Sequence, residues 1–423
     1  MGIINKFKLK IGKHIIIDYA VTFGVEFIIL VISILLFRIV NIRFETLGFS
    51  EFTISKRLIG FLMPLLMLGL GVSLPKFLPL ESKQKQLQIH YTAVIIVTML
   101  LVLGSILFLF FPDYCSSMVF GDAFHKKMIF ANLLFVYSLM LHACVYNFFR
   151  GQFNFKMSGL VQLINLGVLP LICCYFADNM LDYFIVLSVS TIIFLSIINL
   201  LQIPLLNFKN LFFKENFIKL TNYGLQRMPG EVVLGLFIAL PTFIATNYFS
   251  IIEAGNIAFC ISLFNIIIAF MSPINIILLP KASKIVFDKD FVQLKRIGGK
   301  LLALALSIGI FSIIAINFLA EFVLNIFSIS AENNTALYLK IVFTGVIGYS
   351  VFSIIRSIID AFYAKAKNTV NISISFIFFI VSLFTIKFLD IFTLTNTLIV
   401  FSISINFLGI ITYYSLLKIN KLV

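Results

Sequence analysis

The chain has 423 residues, of which 61% are hydrophobic and only 12% are charged. A soluble protein of this length could not hide so much apolar surface from water, so the composition excludes the soluble globular classes. The formal net charge of +14 would suggest a nucleic-acid partner in a soluble protein. Here it predicts basic loops beside a membrane, and no nucleic-acid partner.

Twelve apolar segments of about twenty residues follow one another along the chain. A helix needs about 20 apolar residues to cross a hydrocarbon core about 30 Å thick. The sequence therefore predicts an all-α, polytopic integral membrane protein with twelve transmembrane helices, and gaps too short to fold as soluble domains. The predicted helices are 15–37, 58–75, 89–111, 128–149, 158–177, 183–206, 224–249, 254–279, 301–327, 339–361, 369–389 and 395–417.

The first segment has basic residues before an apolar run, as a signal peptide does. It is too long for one, it contains Asp18 and Glu26, and it lacks a small-residue cleavage site. We therefore expect it to be retained as the first helix.

Lys and Arg are distributed unequally between the two predicted sides of the membrane. The N-terminus and every second loop carry 22 of the 32 basic residues, the opposite side carries eight, and Arg227 and Arg356 lie inside segments. Because basic residues are retained in cytoplasmic loops, both termini are predicted to be cytoplasmic.

Three features recur at a spacing of about 205 residues and indicate an internal repeat. The sequence LPK at 74–76 returns at 279–281, Glu26 corresponds to Glu231, and Arg150 corresponds within one residue to Arg356. This predicts two pseudo-symmetric six-helix lobes that enter the membrane in the same direction, with a central cavity between them. The predicted lobes are 1–206 and 223–423, joined by a cytoplasmic linker at 207–222.

Residue patterns for enzymatic or metal chemistry are missing from the sequence. It has no phosphate-binding GxxxxGK[ST] loop, no nucleophile–histidine–acid arrangement and no Cys/His ligand spacing, so it predicts neither an enzyme nor a metal site. Its five cysteines form no disulfide pattern. His142, inside the fourth segment, is interpreted as a packed core residue, with a proton relay as the alternative.

Five motifs stand at the ends of predicted helices: GLGVSLPK at 69–76, FRG at 149–151, YGLQRMPGE at 223–231, SPINIILLPKAS at 272–283 and RSIIDAFYAK at 356–365. In this order and placement they resemble the polysaccharide-biosynthesis (O-antigen flippase, Wzx-type) branch of the MOP exporter superfamily. That superfamily also contains the MATE drug exporters and the lipid II flippase. The resemblance covers essentially the whole chain.

The resemblance implies a function and its partners. It implies a MATE-like fold that flips an undecaprenyl-pyrophosphate-linked oligosaccharide, the unit of O antigen or a related polysaccharide, across the bacterial inner membrane by alternating access. Its partners would be membrane lipid, polysaccharide polymerase and chain-length proteins. No cofactor is expected, and a proton or sodium gradient as the energy source is a hypothesis that rests on the carboxylates described below.

Arginine binds phosphate through a planar fork that engages two oxygens at once. Arg227 and Arg356, inside segments, and Arg150, at a membrane edge, are therefore the candidates for binding pyrophosphate or sugar. Each has a structural alternative. Arg227 with Glu231, and Arg356 with Asp360, have the spacing of an ion pair within one helix, and Arg150 fits a positive-inside anchor.

Four acids fall inside predicted helices, where burial favours the protonated form. Asp18, Glu26, Glu231 and Asp360 are candidates for ion coupling, with structural ion pairing as the alternative. The predicted helices thus hold more carboxylates than arginines. This balance favours the second hypothesis, a MATE-like cation-coupled drug or small-molecule exporter.

Proline and glycine inside the segments indicate kinks that alternating access could use as hinges. The candidate hinges are Pro64, Pro229, Gly230 and Pro273. Kinks that serve packing alone are the alternative.

Overall fold

The computed structural model of the chain is helical throughout the part that it describes, which comprises residues 2–78, 81–203, 214–226, 228–269, 271, 278, 282, 285–286, 288–329, 334–363 and 366–422. Side chains are described from residue 21 to residue 419, outside those gaps and apart from 72, 75, 76, 107, 202, 268 and 269.

The helices are named here in chain order. They are α1 (Gly2–Leu66), α2 (Leu70–Phe77), α3 (Lys83–Phe110), α4 (Pro112–Phe120), α5 (Lys126–Gly151), α6 (Phe155–Leu163), a π-helix (Ile164–Val168), α7 (Leu169–Phe176), α8 (Met180–Gln202), α9 (Lys214–Leu225), α10 (Met228–Tyr248), α11 (Ile251–Ala269), α12 (Phe291–Ile326), α13 (Thr335–Thr344), α14 (Val346–Phe362), α15 (Lys367–Phe388) and α16 (Leu394–Leu422).

Helix α1 consists of two helices joined end to end at Glu45. The backbone of Glu45 has φ 57° and ψ −171°, which no helix adopts, so residues 2–44 form α1a and residues 46–66 form α1b. A second break follows at once, because Leu68 (φ 43°) and Gly69 (φ 72°) are both left-handed. Helix α2 therefore starts as a separate element at Leu70.

The predicted number of membrane-spanning helices agrees with the described part of the chain. There, nine helices are long and apolar enough to cross a membrane, or ten when α13 and α14, bent by 41°, count as one span. With α1a and α1b taken separately and the shorter apolar α11 included, twelve segments result. The chain is an all-α, multi-pass membrane protein, which confirms the predicted fold class.

The described helices form two compact units. The first unit contains Met1–Phe44, Leu62–Ser116 and Ala123–Leu225, and the second contains Glu45–Phe61, Ser117–Asp122 and Gln226–Val423. Most of α1b therefore belongs to the second unit. The lobe limits drawn from the repeat, 1–206 and 223–423, stay a prediction.

In the first unit, α5 is the central helix. It packs against α2, α3, α6 and α8 and has buried residues along almost its whole length, from Met128 to Gly151. A hydrogen bond joins two of the helices around α5, because His90 Nε2 on α3 lies 3.0 Å from Asn199 Oδ1 on α8.

In the second unit, α14 is the central helix and packs against α12 and α16. A Cβ added to Gly348 would lie 2.3 Å from the Cα of Asn406, and one added to Gly409 would lie 2.5 Å from the Cα of Gly348. Small residues thus let two backbones touch, as is typical of membrane helix pairs.

Helix α1b packs within the second unit against α11. Thr53 Oγ1 lies 3.1 Å from the carbonyl oxygen of Gly255. A Cβ on Gly255 would overlap the Ser50 side chain, so this glycine allows the two helices to approach closely. Further along the same contact, Arg57 bonds Ser262.

The boundaries predicted for the second and the seventh helix were wrong. The second helix was predicted at 58–75, but it comprises α1b at 46–66 and, after the left-handed break, the short α2. Charged residues at 51, 56 and 57 lower the hydropathy of 46–57 and hid this part of the helix. The seventh was predicted at 224–249, but α9 ends at Leu225 and α10 begins at Met228.

Helix α9, in the predicted linker region, is anchored to the first unit by an ion pair and two ring contacts. The Lys219 Nζ lies 2.8 Å from Glu81 Oε1 and 4.5 Å from the centre of the Phe77 ring. Tyr223 meets the Phe77 ring edge-on. The hydrogen bond from Lys219 lowers the pKa of Glu81 below its ordinary value, so the carboxylate stays charged at neutral pH.

Glycine is required where α9 meets the break before α2. A Cβ on Gly224 would lie 1.9 Å from the carbonyl oxygen of Leu68, and one on Gly69 would lie 2.6 Å from the Cα of Gly224. The two backbones are therefore in direct contact at the left-handed turn.

Candidate functional site

An ion pair between two helices is the centre of a polar cluster in the second unit. Arg356 Nη2 on α14 lies 2.6 Å from Glu231 Oε1 on α10. Glu231 lies in the first turn of α10, where the helix dipole favours a carboxylate. The side chains are 32% and 44% exposed, respectively, so the pair is accessible. The guanidinium also lies 5.7 Å from the Phe352 ring centre.

Asn368 on α15 holds the end of α14 in this cluster. Its Nδ2 donates to the carbonyl oxygen of Arg356 at 2.9 Å and to Asp360 Oδ1 at 2.7 Å. The Oδ1 of Asn368 is buried and bonds none of the described residues. The cluster thus combines Arg356 with two carboxylates, one of which is bonded to the guanidinium.

The ion pair differs from the structural alternative drawn from sequence spacing. That alternative paired Arg356 with Asp360 on the same helix, whereas the short bond of the Arg356 guanidinium joins it to Glu231 on another helix. The i, i+4 spacing could not show this, because the geometry depends on how α10 and α14 pack. The roles of all three in substrate binding or ion coupling stay predictions.

A second polar cluster lies in the first unit, on α1a, α5 and α6. Gln162 Nε2 donates to Glu26 Oε1 at 2.8 Å. The Tyr146 hydroxyl interacts with the Arg150 side chain, and Glu26 lies close enough to act on it electrostatically. Glu26 is exposed and the other three side chains are partly exposed. The predicted candidates Glu26 and Arg150 are therefore brought into one neighbourhood.

His142 lies one turn before Tyr146 on α5 and is buried. Its Nδ1 is 3.0 Å from Asn165 Nδ2, and its ring stacks on Tyr146 at 5.9 Å with an interplanar angle of 20°. Asn165 lies in the π-helix, an irregularity that is frequent at functional sites. The buried Oδ1 of Asn165 bonds none of the described residues.

Sequence reasoning missed Arg57, which it counted with Lys56 as part of an outer loop. Both residues lie near the middle of α1b. Arg57 is only 8% exposed, its Nη2 bonds the Ser262 hydroxyl, and its Nε bonds none of the described residues. No described carboxylate forms an ion pair with it. A hydropathy average cannot find such a residue, since its own charge lowers the average.

The other candidates lie in different parts of the chain. Arg227 and Pro273 are outside the described residues, as is the side chain of Asp18 on α1a. Pro64 lies inside α1b, before the left-handed break. Pro229 lies in the first turn of α10, which tolerates proline because its N–H groups lack helical partners. Gly230 follows it, and a Cβ there would lie 2.5 Å from Thr369 Oγ1.

The described side chains include no group of three or more His, Cys, Asp or Glu placed to hold a metal ion. The five cysteines are unpaired, and four of them are buried. The chemistry of both clusters is therefore that of hydrogen bonds and ion pairs. Such groups bind polar or charged ligands and exchange protons.

No protein-family model matches the sequence, and no curated protein is significantly similar to it. Solved structures do match the fold. The chain is similar to a multidrug resistance MATE family transporter of the MOP superfamily in an inward-facing conformation, with TM-score 0.77 and 11% identity over 96% of this chain and 98% of that one.

Two further structures show the same fold at low identity. The lipid II flippase MurJ, in an inward closed conformation, gives TM-score 0.72 and 15% identity over 95% of this chain and 87% of that one. A MOP superfamily transporter from Pyrococcus furiosus Vc1 (DSM3638), described as having a binding pocket of reverse polarity, gives TM-score 0.69 and 10% identity over 95% of each chain. The chain therefore has the fold of the MOP superfamily transporters.

Proposed function

We propose that this protein is a flippase that moves an undecaprenyl-pyrophosphate-linked oligosaccharide, the unit of O antigen or a related surface polysaccharide, across the bacterial inner membrane by alternating access. The fold is shared with both a lipid II flippase and multidrug transporters, so the choice between these cargoes depends on the chemistry of the side chains.

The observation that carries the proposal is Arg57. A charged side chain inside a membrane helix is costly, and it is retained mainly where it serves transport. Arg57 is buried, its Nε is unbonded and no described carboxylate neutralises it. The buried guanidinium therefore favours an anionic ligand such as a pyrophosphate, and it disfavours an organic cation.

Arg356 is the second cation that supports an anionic cargo, because it is partly exposed. Its guanidinium is bonded to Glu231. An anion would therefore have to displace this carboxylate or bind the remaining N–H donors of the guanidinium. Arg227 and Arg150 complete the proposed set of anion-binding and sugar-binding residues. Helix α1b adds Lys56, Arg57 and Glu51 to the charges inside the membrane helices, so the predicted excess of carboxylates falls by one.

Ion coupling is proposed for the carboxylates. Glu26 is exposed and Glu231 is partly exposed, and both accept a hydrogen bond, so each could exchange a proton or bind sodium during the cycle. Asp360 and Asp18 are the further candidates. The cytoplasmic position of both termini, and the polymerase and chain-length proteins as partners, belong to the same proposal.

The second candidate function is a cation-coupled drug exporter. The observation that favours it is the exposed Glu26 carboxylate in the first unit, since a carboxylate accessible within a membrane helix also suits an organic cation. A transporter of this fold with a pocket of reverse polarity exists, so the fold alone does not fix the charge of the cargo.

The test is lipid analysis of host cells from which the gene has been deleted, restored with wild type or with Arg57→Ala, Arg227→Ala or Arg356→Ala. Arg296→Ala is the matched control, because Arg296 is an exposed arginine in the first turns of α12. We expect deletion to accumulate an undecaprenyl-pyrophosphate oligosaccharide. Wild type and the control should clear this intermediate. Arg57→Ala should fail to clear it, although the variant protein is present in the membrane at normal abundance.

Unchanged surface glycan and unchanged lipid intermediates after deletion would contradict the flippase. A rise in sensitivity to cationic dyes in the same cells would then favour the drug exporter.

A further inference from the structure

The polar cluster of the first unit has a chemistry of its own, which the anion-binding arginines do not explain. It consists of Glu26, Tyr146, Arg150, Gln162 and Asn165, and we call it the first-unit polar face. Gln162 is seven residues into the membrane-spanning segment Phe155–Phe176, or about 10 Å at 1.5 Å per residue. Polar groups at such a depth need polar partners.

The face offers donors and acceptors in nearly equal measure. The donors are the Gln162 amide, the Tyr146 hydroxyl and the Arg150 guanidinium. The acceptors are the Glu26 carboxylate, the Gln162 carbonyl oxygen and Asn165 Oδ1, which is buried and unbonded among the described residues. One negative and one positive side chain lie in the same neighbourhood, so the face carries no net charge.

This balance selects the class of ligand. A phosphate would be repelled by Glu26, and an ammonium group would be repelled by Arg150. A neutral molecule with many hydroxyls suits both, because each hydroxyl donates one hydrogen bond and accepts others.

The helix geometry places these groups in two layers. Tyr146 and His142 are four residues apart on α5, and Gln162 and Asn165 are three apart at the start of the π-helix, so each pair lies on one helix face. The stacked rings of Tyr146 and His142 and the hydrogen bond that Asn165 Nδ2 donates to His142 Nδ1 fix the inner layer. Gln162 and Glu26 form the outer layer.

We propose that the first-unit polar face binds the hydroxyl groups of a carbohydrate, and that Gln162 and Asn165 are its specificity-determining residues. This inference rests on the proposed function and deepens it. The sugar part of the cargo would bind in the first unit through neutral hydrogen bonds.

The test measures binding by full-length protein in lipid nanodiscs to two separate probes. One probe is the oligosaccharide released by mild acid from the lipid intermediate of deletion cells, and the other is inorganic pyrophosphate. The variants are Gln162→Leu and Asn165→Leu. The matched control is Gln84→Leu, because Gln84 is an exposed glutamine in the first turn of α3.

We expect each variant to bind the oligosaccharide about tenfold more weakly, as the loss of one or two hydrogen bonds to a ligand requires. Pyrophosphate affinity should stay at the wild-type value in every variant, which also reports that the protein is folded. Gln84→Leu should resemble wild type for both probes.

Several results would overturn the inference. The carbohydrate site is rejected if oligosaccharide affinity is unchanged in both variants. It is also rejected if the wild type binds pyrophosphate but no oligosaccharide. Neither result contradicts the proposed flippase function. Altered proton uptake with unchanged sugar affinity shows that the face is a proton path instead. If deletion cells accumulate no lipid intermediate, the proposed function fails, and this inference fails with it.

Discussion

Glu231 and Arg356 are bonded across two helices at 2.6 Å, although each has a potential partner of opposite charge four residues away on its own helix. The bond makes the availability of the guanidinium depend on the state of the carboxylate. As long as Glu231 is ionised, an incoming anion competes with it for Arg356. A protonated Glu231 would compete much less.

The first prediction is that Glu231→Gln tightens the binding of inorganic pyrophosphate several-fold, because Arg356 is then free of its counter-ion. Titration of the nanodisc-embedded protein measures this affinity, and Arg356→Gln should weaken it. Glu215→Gln is the control, since Glu215 is exposed in the first turn of α9. If neither Glu231→Gln nor Arg356→Gln changes the affinity for pyrophosphate, the ion pair serves only to join α10 and α14.

The second prediction separates function from stability at Arg57. Arg57→Met keeps most of the side-chain volume and removes a buried charge without a described ion-pair partner. Apolar replacements of buried charges are often stabilising, by about 1–4 kcal/mol. Ser262 keeps its bond to the carbonyl oxygen of Ala258 at 2.8 Å. We expect a higher thermal unfolding midpoint together with loss of flipping.

The outcome that contradicts this prediction is a protein that unfolds at a lower temperature while still clearing the lipid intermediate. Arg57 would then be a structural residue of the contact between α1b and α11. Ser262→Ala helps to distinguish a structural role of Arg57 from a transport role. It removes the hydroxyl that Arg57 bonds and keeps the charge of Arg57.

The third prediction concerns pH and helix α9. The folded-state pKa of Glu81 is lowered by the bond from Lys219, so the stabilisation is present above the ordinary carboxyl pKa and is lost as pH falls through the lowered value. We expect amide hydrogen exchange in 214–225 to rise on acidification over that range. Glu81→Gln should exchange quickly at every pH, and Glu215→Gln should behave as wild type.

Equal exchange in wild type and Glu81→Gln throughout this range would mean that the ring contacts of Phe77 hold α9 in place without the ion pair. Phe77→Ala would then be the variant that releases the helix.

The fourth prediction tests the backbone contact between α9 and the break before α2. Gly224→Ala introduces a Cβ 1.9 Å from the carbonyl oxygen of Leu68, so one backbone has to move, at a cost of about 1–3 kcal/mol for overpacking. We expect a lower unfolding midpoint and faster exchange in α9. Gly71→Ala is the matched control, because nothing lies within 4 Å of its Cβ position. An unchanged midpoint for Gly224→Ala would refute the contact.

Hydropathy was sufficient for the architecture because membrane helices are identified by composition and length alone. It failed where a spanning helix carries its own charges. The hydropathy of α1b is lowered by Lys56 and Arg57, so the predicted helix was displaced toward α2 and crossed the break at Leu68. Left-handed residues other than glycine leave no signature that sequence patterns could use.

The candidate site was predictable in its residue types but not in its partners. The rarity of charges inside membrane helices identified Arg356, Glu231 and Asp360 as candidates, but spacing paired Glu231 with Arg227 instead of with Arg356. Spacing could not identify Asn368, which lies across the gap after Phe362 and acts on α14 from a neighbouring helix. Glu26 was found by its charge, whereas Gln162 and Asn165 carry none and became visible only through their contacts.

The contact between α1b and α11 joins residues that are 205 positions apart. Arg57 bonds Ser262, and Ser50 abuts Gly255, so each residue meets its own counterpart under the offset of the predicted repeat. In a homodimer of a single ancestral half, residues at such positions would lie on the two-fold axis, and each would face the identical residue of the other subunit. An arginine there would meet an identical charge. Fusion of two gene copies would remove that constraint, because one copy could then carry arginine while the other carried serine.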